Sequence, residues 1–537
     1  MPLAIEDYAL IGDCHTGALV GTDGSIDWLC LPRFDSPSTF GALLGDTDQG
    51  HWRLAPVGAT RCTSRSYEVD TFVLVTRWET ETGVAEVVDL MPHGDRRADV
   101  VRRVRGVSGT VRMEQVLRIR FDYADAVPWI RQAPELRAHH HDETDGVHAL
   151  LAVAGPDAVV VRGPKLSPDG LAHRAEFEVA AGEVVDTVMT WFPSHREPPD
   201  PVDVGARIDE TLAWWRSWAE SCDDLGRYDA EVRRSLLVLR ALTHEDTGGV
   251  VAAATTSLPE QDGGVRNWDY RYVWLRDAAL TLTALMEHGF QSEAAEWRAW
   301  LLRAIAGDPA DVQIMYGLAG ERRLPETEIA SLPGYRGATP VRIGNAAYLQ
   351  FQGDVFGEIM LALEKARSIG IPDDTFSWSL QVALLAYVER NLERKDNGIW
   401  EIRGELQYFT HSRAMLWAAF DCGIRAVQQH GLSGPVELWI ELRDTLRGEI
   451  ERRGFDTERN TFVQHYGTSA VDASLLQLPQ IGFIAADDPR MLGTVAALED
   501  DLLRDGLLLR RNSVTGAVEA LPREGHGIAL NAALHAN

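Results

Sequence analysis

Hydrophobic positions along the chain follow two different periods. Up to about residue 200 they alternate with polar positions in short runs rich in β-branched residues. The runs 71–78 (TFVLVTRW), 84–90 (VAEVVDL), 111–119 (VRMEQVLRI) and 158–162 (AVVVR) read as strands, with turns at 21–24 (GTDG) and at Ser108 and Gly109. Many short strands at this spacing predict an antiparallel β-sandwich. The texture changes at the proline-rich connector 196–204 (REPPDPVDV). A linker helix is expected over 206–219, carrying Trp214, Trp215 and Trp218. Beyond it, apolar positions recur every three to four residues in the stretches 229–245, 275–289, 291–307, 344–369, 374–394, 411–429, 433–453 and 488–504. This pattern predicts an all-helical domain of stacked hairpins, closing into a helical toroid. The expected division is a sandwich over 1–203, a linker helix over 204–228 and a helical domain over 229–537.

The long connections at 250–272, 309–343, 396–410 and 454–468 fall between alternate helices. In a toroid every second connection emerges at the same rim, so these four are expected to meet at one mouth, where a scaffold carries its chemistry.

Composition narrows the ligand. The 537 residues include 80 acidic and 52 basic ones, a formal net charge of −28. Such a surface repels nucleic acid and anionic membrane, because phosphate binding needs a basic face. A neutral sugar meets no such barrier. The five cysteines, Cys14, Cys30, Cys62, Cys222 and Cys422, form no CxxC pair, so neither a metal centre nor a disulfide scaffold is expected. Residues 1–7 lack signal-peptide character and no apolar run approaches ~18 residues, so the expectation is a cytoplasmic protein.

Three segments concentrate chemistry. The first, 267–279 (NWDYRYVWLRDAA), interleaves Trp268 and Trp274 with Arg271, Arg276, Asp269 and Asp277 at a loop-to-helix junction. Sugars present CH faces that stack on aromatic rings and vicinal hydroxyls that pair with Arg and Asp. The same residues also read as a helix start, with Asp269 as N-cap and Arg276–Asp277 as an internal ion pair. The second, 397–410 (NGIWEIRGELQYFT), sets Glu401 directly after Trp400. A carboxyl beside an indole loses solvation and holds its proton toward a pKa of ~6, as a general acid needs. The third, 315–324 (MYGLAGERRL), with 332–342 and 343–350, offers Tyr316, Glu321, Tyr335, Arg342 and Asn345 on glycine-rich loops that lack the GxxxxGK[ST] pattern of a nucleotide site. The triplet His139, His140 and His141 reads as a solvated loop, since adjacent residues do not converge on one ion. Asp472 and His411 read as helix caps, and Asp35 as part of a hairpin tip.

In this order and spacing the three segments resemble glycoside hydrolase family 15, the glucoamylases, glucodextranases and bacterial trehalases. YRYVWLRDAAL resembles the family's aromatic–Arg–Asp motif, which implies that Arg276 and Asp277 grip the terminal glucose. YGLAGERRL resembles its second sugar-binding stretch, with Tyr316 and Glu321, and GIWEIRGELQYFTHS its acid-bearing segment, landing on Glu401. The run 11–38 (IGDCHTGALVGTDGSIDWLCLPRFDSPS) resembles the sandwich domain of bacterial members. The resemblance implies an (α/α)6 barrel of six inner and six outer helices and inverting, cofactor-free hydrolysis of a small neutral α-glucoside. Trp268, Arg342 and Trp400 are expected to join the sugar site. Trehalose is the expected substrate, with maltooligosaccharides or isomaltooligosaccharides as the alternative.

Inversion needs a second carboxylate ~6.5–9.5 Å from the first to activate water. In the resembling family it lies in a Leu-Pro…Glu-Gly stretch, here Leu521, Pro522, Arg523, Glu524 and Gly525, with Glu519 as fallback. The chain then reads HGIALNAALHAN, without the aromatic-rich helix of the family pattern. An incomplete barrel with weakened or lost activity is therefore an expectation, and a catalytically impaired sugar-binding protein the reading from another class. A polysaccharide lyase on a similar toroid would need a basic cluster for uronates, against the net charge. Homo-oligomerisation is left open by the sequence.

Overall fold

The computed structural model describes residues 1–94, 96–136, 147–222 and 226–511. The chain forms two compact units. One comprises Met1–Asp246, Ala253–Arg271 and Glu326–Gly344; the other comprises Thr247–Ala252, Tyr272–Pro325 and Asn345–Asn537. They cut across the linear division at 203 and 228. The linker helix and the following helix belong with the β-rich unit, as do parts of two of the long connections.

The first unit is built on fifteen antiparallel strands between Tyr8 and Pro193. Its organising element is the 21-residue strand Ala98–Arg118. The N-terminal half pairs with Gly83–Leu90 and Val184–Pro193 in one sheet; the C-terminal half pairs with His51–Pro56 and Ala172–Ala180 in the other. The strand passes from sheet to sheet at Ser108 and Gly109. The sequence predicted a turn there, and the structure shows a sheet-switching kink. Gly109 has φ +63°, and a Cβ on it would lie 2.1 Å from the Thr82 carbonyl oxygen, so only glycine fits. Ile11, Val20, Trp52 and Leu117 from one sheet meet Val100, Val159, Val161 and Met189 from the other in the core.

Arg102 and Asp89 form a buried ion pair in this core. Arg102, fully buried, donates from Nε to Asp89 Oδ1 at 2.7 Å, from Nη1 to the Trp52 carbonyl at 2.6 Å and from Nη2 to the Gly24 carbonyl at 2.8 Å. Asp89 is its direct cross-strand neighbour.

Ten α-helices occur among the described residues. α1 (Val204–Glu220) and α2 (Asp229–Ala241) belong to the first unit. The second holds α3 (Leu275–Glu287), α4 (Gln291–Ala304), α5 (Asp354–Ser368), α6 (Thr375–Arg390), α7 (Thr410–His430), α8 (Val436–Arg453), the single turn α9 (Gln477–Gln480) and α10 (Pro489–Leu502). α3, α5 and α7 pack side by side, with α4, α6 and α8 against them. Burial separates the layers. α7 is buried on nearly every face, whereas α8 buries only the stripe Trp439, Leu446 and Ile450. Close packing of α5 on α7 requires Gly357, where a Cβ would approach the Met415 carbonyl oxygen to 2.4 Å. Helix was expected from residue 344, but α5 begins at Asp354, after a 3-10 turn at Ala346–Leu349 capped by Asn345. The 512–537 tail, on which the expectation of an incomplete barrel rested, lies outside the described residues.

Removing one member of a buried ion pair leaves an uncompensated charge. Arg102→Met should lower unfolding stability by about 3–5 kcal/mol, and Arg102→Met with Asp89→Leu should recover most of it. Urea unfolding of the two variants checks this; equal losses in both would contradict it.

Candidate active site

Within the helical unit the first turns of α3 and α5 and the loop before α7 converge. Glu401 sits in that loop, tied down by main-chain bonds. Its N–H donates to the Gly398 carbonyl at 3.1 Å and Ile402 N–H to the Asn397 carbonyl at 3.2 Å, while Asn397 Nδ2 donates to the Ile402 carbonyl at 3.0 Å. Glu401 takes φ +54°, the left-handed region, at a cost of roughly 1–2 kcal/mol for a residue with a Cβ. Such strain is held only where neighbours fix the side chain.

Those neighbours are Trp274 and Arg276. Trp274 Nε1 donates to Glu401 Oε1 at 2.6 Å, and Arg276 Nη2 lies 3.6 Å from the same oxygen. Trp274 is itself held by strand pairing of Val273 and Trp274 with Tyr316 and Met315. Gln350 Nε2 donates to the Glu401 carbonyl at 3.3 Å. The carboxyl keeps 20% of its exposure, so it faces both protein and solvent. Burial pushes its pKa above the ordinary range, against the pull of Arg276 and the Trp274 bond.

Arg276 is ringed by acids. Its Nη2 lies 3.2 Å from Asp277 Oδ2 and its Nη1 lies 3.8 Å from Asp354 Oδ2; Nη1 also donates to the Ile399 carbonyl at 3.1 Å. Burial opposes the guanidinium charge, and Asp277, Glu401, Asp354 and Glu358 outweigh it. Asp354 is fully buried and neither carboxylate oxygen makes a hydrogen bond. Glu358, one turn along α5, is pushed up to about 8, first by burial and then by Asp354. Behind the loop, burial pushes Asp396 up to about 7, although it accepts from the N–H groups of Gly353 at 2.8 Å and Gly398 at 3.2 Å. Two carboxyls with raised pKa values, Glu358 and Glu401, beside one buried cation make this cluster the candidate site.

The sequence-predicted residues divide. Glu401, Arg276 and Asp277 come together, and Trp400 is the neighbour of Glu401, its ring beneath Arg510 at 5.6 Å. Tyr316 is fully buried and its hydroxyl accepts from the Gln313 N–H at 3.0 Å; instead of presenting a hydroxyl to ligand, it holds the strand that carries Trp274. Glu321 accepts from the Ala319 N–H at 2.9 Å, and its carbonyl accepts from the Gly317 N–H at 2.8 Å, so it closes a turn. Trp268 and Arg342 belong to the first unit, where the guanidinium lies 4.6 Å from the indole and donates to the Val265 carbonyl at 3.0 Å. Asp269 is a fully buried bidentate partner of Arg271, at 2.9 and 2.7 Å, and Trp274 takes the N-cap position of α3. Asp472 caps Ala473–Leu476 as expected, and His411 sits buried in the first turn of α7, its Nε2 2.8 Å from Gln477 Oε1. Glu519 and Glu524, and the triplet at 139–141, lie outside the described residues. Sequence reasoning missed Gln350, Asp354, Glu358 and Asp396, and Gln352, whose Oε1 accepts from Arg276 Nη1 at 3.4 Å. Acids four residues apart on an otherwise apolar helix (DVFGEIML) were the available signal.

Comparison with known proteins agrees with this geometry. The model of the glycosyl hydrolases family 15 matches residues 226–525, and that of the trehalase-like N-terminal domain matches residues 1–144. A trehalase of Mycobacterium tuberculosis is 35% identical, over 94% of this chain and 77% of its own. A trehalase of Thermoplasma volcanium is 32% identical, over 94% and 80%. A bacterial glucoamylase solved with acarbose superposes with a TM-score of 0.68 at 12% identity, covering 94% of this chain and 79% of its own, which shows a shared fold. The family model over residues 226–525 makes the chain a glycoside hydrolase. The chain belongs to glycosyl hydrolases family 15.

A buried acid with a raised pKa binds its proton more tightly in the folded state than in the unfolded one, so its contribution to stability is fully present below the unfolded pKa and is lost as pH rises through the folded value. Thermal stability should therefore fall between about pH 5 and pH 8, where Glu358 passes from its ordinary 4.5 to about 8. Glu358→Gln should flatten that fall. Melting curves across this range test it, and an unchanged slope in the variant would contradict the assignment.

Proposed function

We propose that the chain hydrolyses trehalose with inversion at one anomeric carbon, Glu401 acting as proton donor. The observation that carries this reading is the placement of Glu401 against Arg276 and Trp274, in a site where burial raises its pKa. Arg276 and Asp277 share the vicinal hydroxyls of one glucose through charge-assisted bonds. Because Arg276 also lies beside Glu401, a ring held there brings its glycosidic oxygen to the donor. Trp400 supplies an apolar wall. Glu401 protonates the leaving oxygen while a second carboxylate takes a proton from the attacking water. We assign that second role to Glu524, supported by the family match reaching residue 525. The chemistry draws on carboxyls and water alone.

Trehalose is favoured over longer α-glucans by relatives named trehalase at 32% and 35% identity across 94% of the chain. A small cytoplasmic sugar also suits an acidic chain in which no described helix is long and apolar enough to cross a membrane.

Trehalose makes the stereochemical test unusually clear, since both of its anomeric carbons are α. Inversion at one centre releases one β-glucose and one α-glucose, whereas retention releases two α-glucoses. Proton NMR in the first minutes of turnover should show the two anomers in equal amounts, and turnover of trehalose should exceed that of maltose and isomaltose. Early accumulation of α-glucose alone would exclude inversion, and faster cleavage of maltose would overturn the substrate.

A further inference from the structure

The first unit gathers a second set of reactive side chains that hydrolysis does not use. Cys14 lies just beyond strand Tyr8–Gly12, His93 just beyond strand Gly83–Leu90, and Glu245 four residues after α2. One ligand-capable atom from each lies within 4.8 Å of the other two, and His93 Nε2 is 3.8 Å from Glu245 Oε2. Their wide separation in sequence is why cysteine spacing gave no hint of a metal centre.

The surroundings hold this trio in place. The Glu245 N–H donates to the Cys14 carbonyl at 2.8 Å, fastening two of the three segments through the main chain. Cys14 takes φ +65°, a conformation that costs a residue with a Cβ about 1–2 kcal/mol and is tolerated where the position of the side chain matters. The His93 ring stacks on Trp214 with centroids 3.5 Å apart, which sets its plane. Cys14 is fully buried and the His93 side chain is only 7% exposed, yet His93 Nε2 makes no hydrogen bond. Glu245 Oε2, at 3.8 Å from this nitrogen, lies beyond hydrogen-bond reach.

We infer that Cys14, His93 and Glu245 form a binding site for a zinc-like divalent cation. Thiolate, imidazole and carboxylate together are the donors of a borderline ion, not of magnesium or calcium. Bonds of ~2.0–2.3 Å in a tetrahedral shell set donor atoms ~3.3–3.8 Å apart, and the His93–Glu245 separation already meets this. The Glu245 side chain keeps 34% of its exposure, so the fourth position opens to water. Binding removes the thiol proton of Cys14 and releases it to solvent. Arg240 Nη2 bonds to Glu245 Oε2, the oxygen that also faces His93, so an ion bound through that oxygen has to displace the guanidinium. The site would staple two strand ends of the sandwich to the segment after α2, a structural role separate from the carboxyl cluster around Arg276.

The test loads the full-length protein, stripped with chelator, with Zn²⁺ or Co²⁺ and measures metal retained after gel filtration. One ion per chain is expected, and the cobalt form should show a thiolate-to-cobalt charge-transfer band in the near ultraviolet. Cys14→Ser should abolish the band, and His93→Gln and Glu245→Gln should each weaken affinity at least about tenfold, as loss of a single metal contact does. Glu245 lies on the open side, so its variant reports even if Cys14→Ser does not fold. Substoichiometric metal in the wild type would overturn the site, leaving His93, Glu245 and Arg240 as an ion-pair network. Unchanged affinity in Glu245→Gln would overturn the three-residue assignment.

Discussion

Everything proposed for the helical unit depends on how the buried guanidinium of Arg276 is neutralised. It sits among four carboxyls, Asp277, Asp354, Glu358 and Glu401, and one cation cannot balance four anions in a poorly solvated space. Burial answers this by raising the pKa of Glu358, to about 8, and that of Glu401. Asp277, with 40% of its side chain exposed, is the member open to solvent beside Glu401. In the proposed reaction the guanidinium that would hold a sugar hydroxyl therefore stands beside the acid that would deliver the proton.

The surrounding architecture holds this arrangement still. Trp274 is pinned by the short strand pair with Met315 and Tyr316, and its indole N–H fixes the Glu401 oxygen on which Arg276 also bears. The left-handed turn at Glu401 persists because Asn397, Gly398 and Gln350 bind the loop main chain around it. Close contact of α5 and α7 through Gly357 locks together the helix that supplies Asp354 and the helix that follows the Glu401 loop. In the other unit the long strand through Ser108 and Gly109 does comparable work, because a single element carries both sheets.

Much of this was legible in the sequence. The change from alternating to helical period located the two structural textures, and the aromatic–Arg–Asp and Trp–Glu motifs located the residues that the structure brings together, Arg276, Asp277 and Glu401. Other features were not legible, for physical reasons. A kink that moves a strand between sheets uses the same Ser-Gly signal as a turn. Residues 344–353 carry a helix-like apolar pattern, but Asn345 caps only the 3-10 turn Ala346–Leu349, and α5 starts after Gly353, whose N–H is bound by Asp396. Tyr316 looks like a ligand residue beside glycines, yet its hydroxyl is taken by the Gln313 main chain. Asp354 and Glu358 were overlooked because acids on a helix usually face water, and only packing reveals that these do not. The trio Cys14, His93 and Glu245 arises from three distant segments, which no local spacing could announce.

The central claim, that Glu401 delivers the proton to the departing oxygen, is tested most directly by varying how much that oxygen needs one. Glu401→Gln should be compared with wild type on trehalose and on α-glucosyl fluoride, whose fluoride leaves with little help from an acid. The account predicts a fall of about 10²–10⁴-fold in kcat on trehalose and a far smaller fall on the fluoride. Equal losses on both substrates, or trehalose turnover that survives the substitution, would contradict it.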